Sequence, residues 1–241
     1  MSSPTFRKLK LMVSRILFFL WGIISMTLFA CNKANIDEMY DNVVNLSSVA
    51  VVNAVPGSVG MDVFVNQNRM NNTSEKLIFG EHIPYRNMYA GEVELSLTSY
   101  FGAKQETYKE KLTFQSNKIY SVFVYRDGGL KLLQSEDNVL LPAKGQAKFR
   151  VVHLGGNVSS LKISSIEKEV NFQSVKYKDV SSFINIAINK RYSFEITDGN
   201  AEVKIELDFE PQNQGIYTLL IKGDKKDSAG EGGIDAKIIK H

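Results

Sequence analysis

The sequence predicts an all-β chain, with two tandem antiparallel β-sandwich domains behind a cleavable leader and a short tether. Three observations predict it. Four sequence blocks recur in the same order about 100 residues apart. Segments within both copies alternate apolar and polar residues at period two, as half-buried antiparallel strands require. Turn residues punctuate these segments at Pro56-Gly57, Asp127-Gly128-Gly129, Asp198-Gly199-Asn200 and Pro211 to Gly215.

The leader occupies residues 1–30. Arg7, Lys8, Lys10 and Arg15 precede an uncharged run from Ile16 to Ala30. That run is shorter than the roughly 20 residues of a comfortable membrane span, so it reads as a secretory signal. It ends in Leu28-Phe29-Ala30-Cys31, which resembles the bacterial lipobox, where a small residue precedes a cysteine that is acylated and becomes the mature N-terminus. Phe29 is bulkier than the residue usual there. Cys31 is the only cysteine of the 241 residues and stands where the apolar run stops, which favours lipidation over a core cysteine or a single-pass anchor. A lone cysteine also excludes a disulfide scaffold and a zinc site built on paired thiolates. The resemblance implies a chain held to the membrane by its N-terminal lipid, with palmitate among the acyl groups, at the outer membrane and facing the periplasm or the cell surface.

Residues 31–47 form the tether. Asn35 has capping chemistry, Glu38 sits three positions on, and Ile36, Met39, Tyr40 and Val43 keep helical spacing, so a short helix is expected. Asp37 and Glu38 resemble the acidic stretch that directs lipoproteins of Bacteroidetes-type bacteria to the surface.

Removal of the leader changes the charge. The whole chain carries 29 Lys and Arg against 26 Asp and Glu, and losing the four leader cations leaves 25 against 26. The basic balance therefore belongs to the leader, and the remaining lysines alternate with acids without clustering. This excludes the charge pattern of a nucleic-acid binder.

The two sandwich copies are predicted at residues 48–138 and 146–241, joined by a linker at 139–145. Ala50-Val51-Val52-Asn53-Ala54 answers Arg150-Val151-Val152-His153-Leu154, and Val93, Leu95 and Leu97 answer Tyr192, Phe194 and Ile196. Ile119 to Val124 answers Ile216 to Ile221, and Lys131-Leu132-Leu133 answers Lys237-Ile238-Ile239. Glu92 to Thr98 and Val203 to Glu210 are the clearest alternating strands. About seven short strands in a copy of this length fit an immunoglobulin-like sandwich, with a core that is aliphatic and aromatic throughout. The repeat also predicts a closing strand at Ala236 to Ile239, behind an enlarged hairpin loop at 223–233. Leu140-Leu141-Pro142 makes the linker apolar, which implies copies that pack together.

The opening blocks, followed by the Met61-Asp62-Val63-Phe64-Val65 strand, resemble the domain-of-unknown-function family 4397, whose openings read like R-V-V-H-A-S-P-D-A-P and then V-D-V-Y-V. The first copy keeps Pro56 and the 61–65 strand but has Asn53 where the family prefers His. The second keeps Arg150-Val151-Val152-His153 and lacks the proline. The resemblance covers residues 48–241. It implies tandem immunoglobulin-like sandwiches in a secreted or lipidated bacterial protein and implies no chemistry.

Candidate sites are sparse. His82, His153 and His241 share no metal-ligand spacing, so no metal and no cofactor is expected. His153, in a strand opening, reads as a hydrogen-bonded structural residue. Glu92 and Glu94 lie two apart on one strand face at roughly 7 Å, within the range of an inverting glycosidase, yet on the solvent face where acids are ordinary. Gly128-Gly129 and Gly232-Gly233 precede no helix and are turn glycines, not phosphate loops. Tyr85, Tyr89, Tyr100 and Phe101 fall near strand ends, where rings stack on a sugar or a partner side chain or else cap the core. Tyr177 and Phe183 stand in comparable places in the second copy. Tyr120 and Tyr217 read as core residues, with a corner-tyrosine bond to backbone as one form of that role. Asp227-Ser228-Ala229 matches a short O-glycosylation pattern of Bacteroidetes-type secreted proteins, which makes Ser228 a modification candidate.

The expectation is a non-enzymatic envelope module that binds a glycan or an envelope protein, or serves as an adhesive or structural component. The alternative is a fimbria-type subunit that assembles by strand addition, and a hydrolase is the third class.

Overall fold

The computed structural model describes residues 45–200, 202–227 and 233–241. Residues 45–241 fall in one compact unit. The leader, Cys31 and the tether with its expected helix lie outside the described residues, as does Ser228. Among the described residues no helix is long and apolar enough to cross a membrane.

The first copy holds β1 (Leu46–Asn53), β2 (Gly60–Val65), β3 (Asn68–Arg69), β4 (His82–Tyr89), β5 (Gly91–Phe101), β6 (Lys104–Phe114), β7 (Ile119–Arg126) and β8 (Leu130–Glu136). The second holds β9 (Gln146–His153), β10 (Ser160–Ser165), β11 (Asn171–Lys176), β12 (Ile184–Ala187), β13 (Tyr192–Thr197), β14 (Lys204–Phe209), β15 (Ile216–Lys222) and β16 (Asp235–Lys240). Each copy has eight strands, one more than the turn spacing predicts. The additions are short edge strands such as the two-residue β3.

Two sheets build each copy, and their strand orders correspond one to one. The orders are β4-β1-β7-β8 and β3-β2-β5-β6 in the first copy, and β12-β9-β15-β16 and β11-β10-β13-β14 in the second. The opening strand of each copy runs parallel to the seventh, β1 beside β7 and β9 beside β15, while the other strand pairs are antiparallel. The duplication read from the motifs is therefore a duplication of topology.

Side chains leave a strand alternately to its two faces, and in β1, β7, β9 and β15 both faces are covered. In β7, Tyr120, Val122 and Val124 enter the core of the first copy. Phe123 and Tyr125, on the opposite face, join a separate apolar cluster with Val52, Val152, Leu154, Leu220 and Ile239. In β15, Tyr217, Leu219 and Ile221 fill the core of the second copy, and Leu220 turns to the shared cluster. The two inner sheets thus pack on each other, with an outer sheet beyond each. Double burial explains why β1, β7 and β15 read as near-continuous apolar runs, while β5 and β14, each with one wet face, alternate.

The copies pack as the linker composition implies, but through these sheets. Leu140 and Leu141 themselves are 76% and 68% exposed. Ion pairs flank the seam: Lys178 Nζ donates to Asp127 at 2.6 Å, and Lys237 Nζ donates to Glu81 at 2.6 Å.

Two devices recur in both copies. The backbone N–H of Gln115 donates to the Tyr120 hydroxyl at 3.2 Å, and that of Gln212 donates to Tyr217 at 3.0 Å. These are the corner bonds expected of those tyrosines. At the end of β1 the Asn53 amide accepts from the N–H of Val55 and donates to the carbonyl of Leu77. At the end of β9 His153 does the same work, accepting from the N–H of Gly155 at Nδ1 and facing the carbonyl of Val158 through Nε2 at 3.1 Å. Asn and His alternate at this position because each presents an acceptor and a donor to one turn. Burial lowers the His153 pKa to about 4, so the ring is neutral.

Candidate functional site

The densest polar cluster lies inside the seam. Alternation along β7, β9 and β15 places Ser121, Arg150 and Thr218 on the same face as Phe123, Val152 and Leu220, so these polar groups meet in an otherwise apolar contact. The Arg150 guanidinium donates to Asp137 Oδ1 at 2.5 Å, to Ser121 Oγ at 3.2 Å and to Ser135 Oγ at 3.3 Å, and its Nε donates to Thr218 Oγ1 at 2.9 Å. Phe183 lies 4.5 Å from the guanidinium carbon, a cation–π contact, with Phe123 at 5.8 Å. The second oxygen of Asp137 accepts from Ser121 Oγ at 2.5 Å and from the Tyr85 hydroxyl at 2.6 Å.

His241 completes the cluster. Its Nε2 lies 2.7 Å from Thr218 Oγ1 and its Nδ1 lies 3.1 Å from the Tyr85 hydroxyl. Hydrogen-bond accounting assigns the tautomer. Tyr85 gives its proton to Asp137, so it accepts from His241 Nδ1–H; Thr218 accepts from Arg150 and donates to Nε2. Burial and the Arg150 charge lower the His241 pKa to about 4, in keeping with a neutral ring. Burial and the Asp137 carboxylate raise that of Tyr85.

A hydroxyl, an imidazole and a carboxylate have thus come together, and their geometry is that of a closed circuit. Both oxygens of Asp137 are engaged, the Ser121 and Thr218 side chains are fully buried, and each hydroxyl and imidazole proton already has an acceptor. Nucleophilic catalysis needs a hydroxyl a substrate can reach, with a base free to take its proton. Here the polar groups join the two copies. The sequence marks Tyr85 and Phe183 as candidate rings, but the spacing of Asp137, Arg150 and His241 does not mark them as a cluster.

The candidate rings separate. Tyr85 stacks on His241 with centroids 5.5 Å apart. Tyr100 bonds Asp62 at 2.9 Å, and Phe101 carries the Arg126 guanidinium at 4.8 Å. Tyr177 packs edge-on to Tyr125 across the seam, with centroids 6.3 Å apart. Tyr89 is 67% exposed. It pairs with Leu46 at one end of the first sandwich, whereas Tyr100 pairs with Gly60 at the other, so the rings make no common surface. Tyr89 lines a cleft of about 480 Å³ between the edge strands β3 and β4, together with Val65, Asn68, Met70 and Asn87.

Glu92 and Glu94 pair with Lys111 at 2.7 Å and Lys109 at 3.2 Å on the open face of β5. Among the described residues no His, Cys, Asp and Glu cluster has the grouping of a metal site.

Fold and seam define a class, that of tandem β-sandwich proteins whose copies are joined through their inner sheets. Residues 47–164 match the family model of the domain of unknown function DUF4397, the family that the strand motifs resemble. No curated protein matches the chain. Among solved structures, it is similar to a candidate cell adhesion protein of Parabacteroides distasonis at 8% identity and TM-score 0.23, covering 82% of this chain and 99% of that one. It is also similar to a candidate cell adhesion protein of Bacteroides fragilis at 9% identity and TM-score 0.20, covering 80% of this chain and 97% of that one. At these scores the two structures are likenesses and decide nothing about this chain.

Proposed function

We propose that the protein is a lipid-anchored, non-catalytic binding module of a bacterial envelope, carried at the outer membrane on Cys31 and working in adhesion. The observation that carries this reading is the closed circuit at the seam. Its hydroxyls, imidazole and carboxylate are spent on joining two sandwiches into one body, a use that suits a rigid support for an exposed surface. The leader and the lipobox-like Leu28 to Cys31 supply the address. Strand exchange with neighbours draws no support from β8 and β16, each of which pairs along its length inside its own copy.

Labelled palmitate tests the reading in cells that express the chain. Wild type is expected to take up label, to sediment with outer membranes and to be shaved by external protease, and Cys31→Ser to do none of these. An unlabelled wild-type chain recovered in the soluble fraction contradicts the anchor. Ser228 belongs to the same reading as a modification site, and an intact mass with no added sugar removes it.

A further inference from the structure

We infer that the cleft between β3 and β4 is a binding site for an uncharged glycan, with Tyr89 as its stacking platform. The inference rests on the reading of the protein as a binding module and names that module's ligand class.

The cleft, of about 480 Å³, falls within the range of small-ligand sites. Val65, Met70 and Met88 give it an apolar floor, and Tyr89 rises beside it with two-thirds of its surface in water. An exposed ring beside an apolar floor matches the apolar C–H face of a pyranose.

The polar groups fix the class. Asn66 Oδ1 accepts from the N–H of Glu94 at 2.9 Å, and Asn87 Oδ1 accepts from Ser48 at 2.6 Å. Their Nδ2 donors have no protein partner among the described residues. Asn68 Oδ1, beside them, likewise has none and is an acceptor. Amides that offer both donors and acceptors match sugar hydroxyls, which both give and take hydrogen bonds.

Charge decides between neutral and acidic sugars. Both arginines on the wall are already matched: Arg86 bonds Glu75 at 2.7 and 2.8 Å and also the carbonyl of Met70, and Arg69 pairs with Asp62. Among the described residues the cleft therefore presents no free cation to a carboxylate or sulfate. An added peptide strand fits it less well, because strand addition needs a run of free backbone groups. β3 is two residues long, Pro84 interrupts the donors of β4, and Asn71 occupies the backbone of β2 through Val63 N–H and the Met61 carbonyl.

Retention of the full-length chain on arrayed neutral and acidic oligosaccharides tests the site. Neutral glycans are expected to bind, Tyr89→Ala to weaken the apparent affinity by about tenfold or more, and Tyr177→Phe in the second copy to leave it unchanged. An unaltered melting temperature in Tyr89→Ala shows that the loss belongs to the site. Binding of acidic glycans alone, binding indifferent to Tyr89, or no binding to any glycan overturns the assignment. Palmitate labelling and surface exposure, measured in the same cells, separate this failure from that of the wider reading. With both present and glycan binding absent, only the site assignment falls; with both absent, the module reading falls as well.

Discussion

Arg150 and Asp137 form an ion pair at 2.5 Å whose side chains are 1% and 0% exposed, and the two residues belong to opposite sides of the seam between the copies. Asp137 follows β8 and is tied to the first copy by its own N–H, which donates to the Ile119 carbonyl at 2.7 Å. Arg150 stands in the middle of β9. A buried pair of this kind returns its desolvation cost only when the remaining protons and lone pairs are also satisfied, and Ser121, Tyr85, Thr218 and Ser135 supply those bonds.

Removing one partner is therefore expected to do more harm than removing both. Asp137→Ala leaves the Arg150 charge uncompensated and is expected to cost about 3–5 kcal/mol in urea unfolding. The double variant Asp137→Leu with Arg150→Met is expected to recover part of that loss. A single-variant cost below about 1 kcal/mol contradicts the role of the pair.

Acid is expected to weaken the fold before any carboxylate titrates. His153 and His241 have folded pKa values of about 4, below the ordinary 6.5, so the unfolded chain takes up protons first. Their contribution is complete above pH 6.5 and is lost as pH falls through the window down to about 4. At pH 5 the expected loss is on the order of 2 kcal/mol for each ring. Urea midpoints at pH 8 and pH 5 measure it. His153→Asn, which installs the residue of the first copy, is expected to flatten the dependence, and an equal slope in that variant contradicts the assignment.

Tyr120→Phe and Tyr217→Phe are each expected to cost about 1 kcal/mol, because the ring stays packed while the N–H of Gln115 or Gln212 loses its acceptor. Gly215→Ala is expected to destabilise the second copy, since a Cβ there would overlap the Tyr217 ring. Thermal melting of the three variants checks both statements, and a Gly215→Ala variant as stable as wild type contradicts the packing at that corner.

Much of the fold was legible because strands with one wet face write themselves at period two, as Val93, Leu95 and Leu97 do, and because the blocks recur in order. The runs Val49 to Val52 and Ile119 to Tyr125, the second broken only by Ser121, are the signature of burial on both faces, so the packed seam was present in the sequence, though it does not say what covers the second face. The polar cluster was not legible. Asp137, Arg150 and His241 become neighbours only when two sheets meet, and nothing in their spacing marks them. Two residues four apart in a strand share a face while that strand stays regular, so alternation alone does not separate Tyr85, held in the seam, from Tyr89, exposed at the end of β4. The irregular register where β1 pairs with β4, between Val49 and Val51, breaks that rule.

Scanning calorimetry of the wild-type chain tests most directly whether the two sandwiches form one body. A buried seam closed by Arg150, Asp137, Tyr85 and His241 predicts a single endotherm whose calorimetric and van't Hoff enthalpies agree. Two resolved transitions, each with half the enthalpy and neither moved by Asp137→Ala, would show the copies folding independently and contradict it.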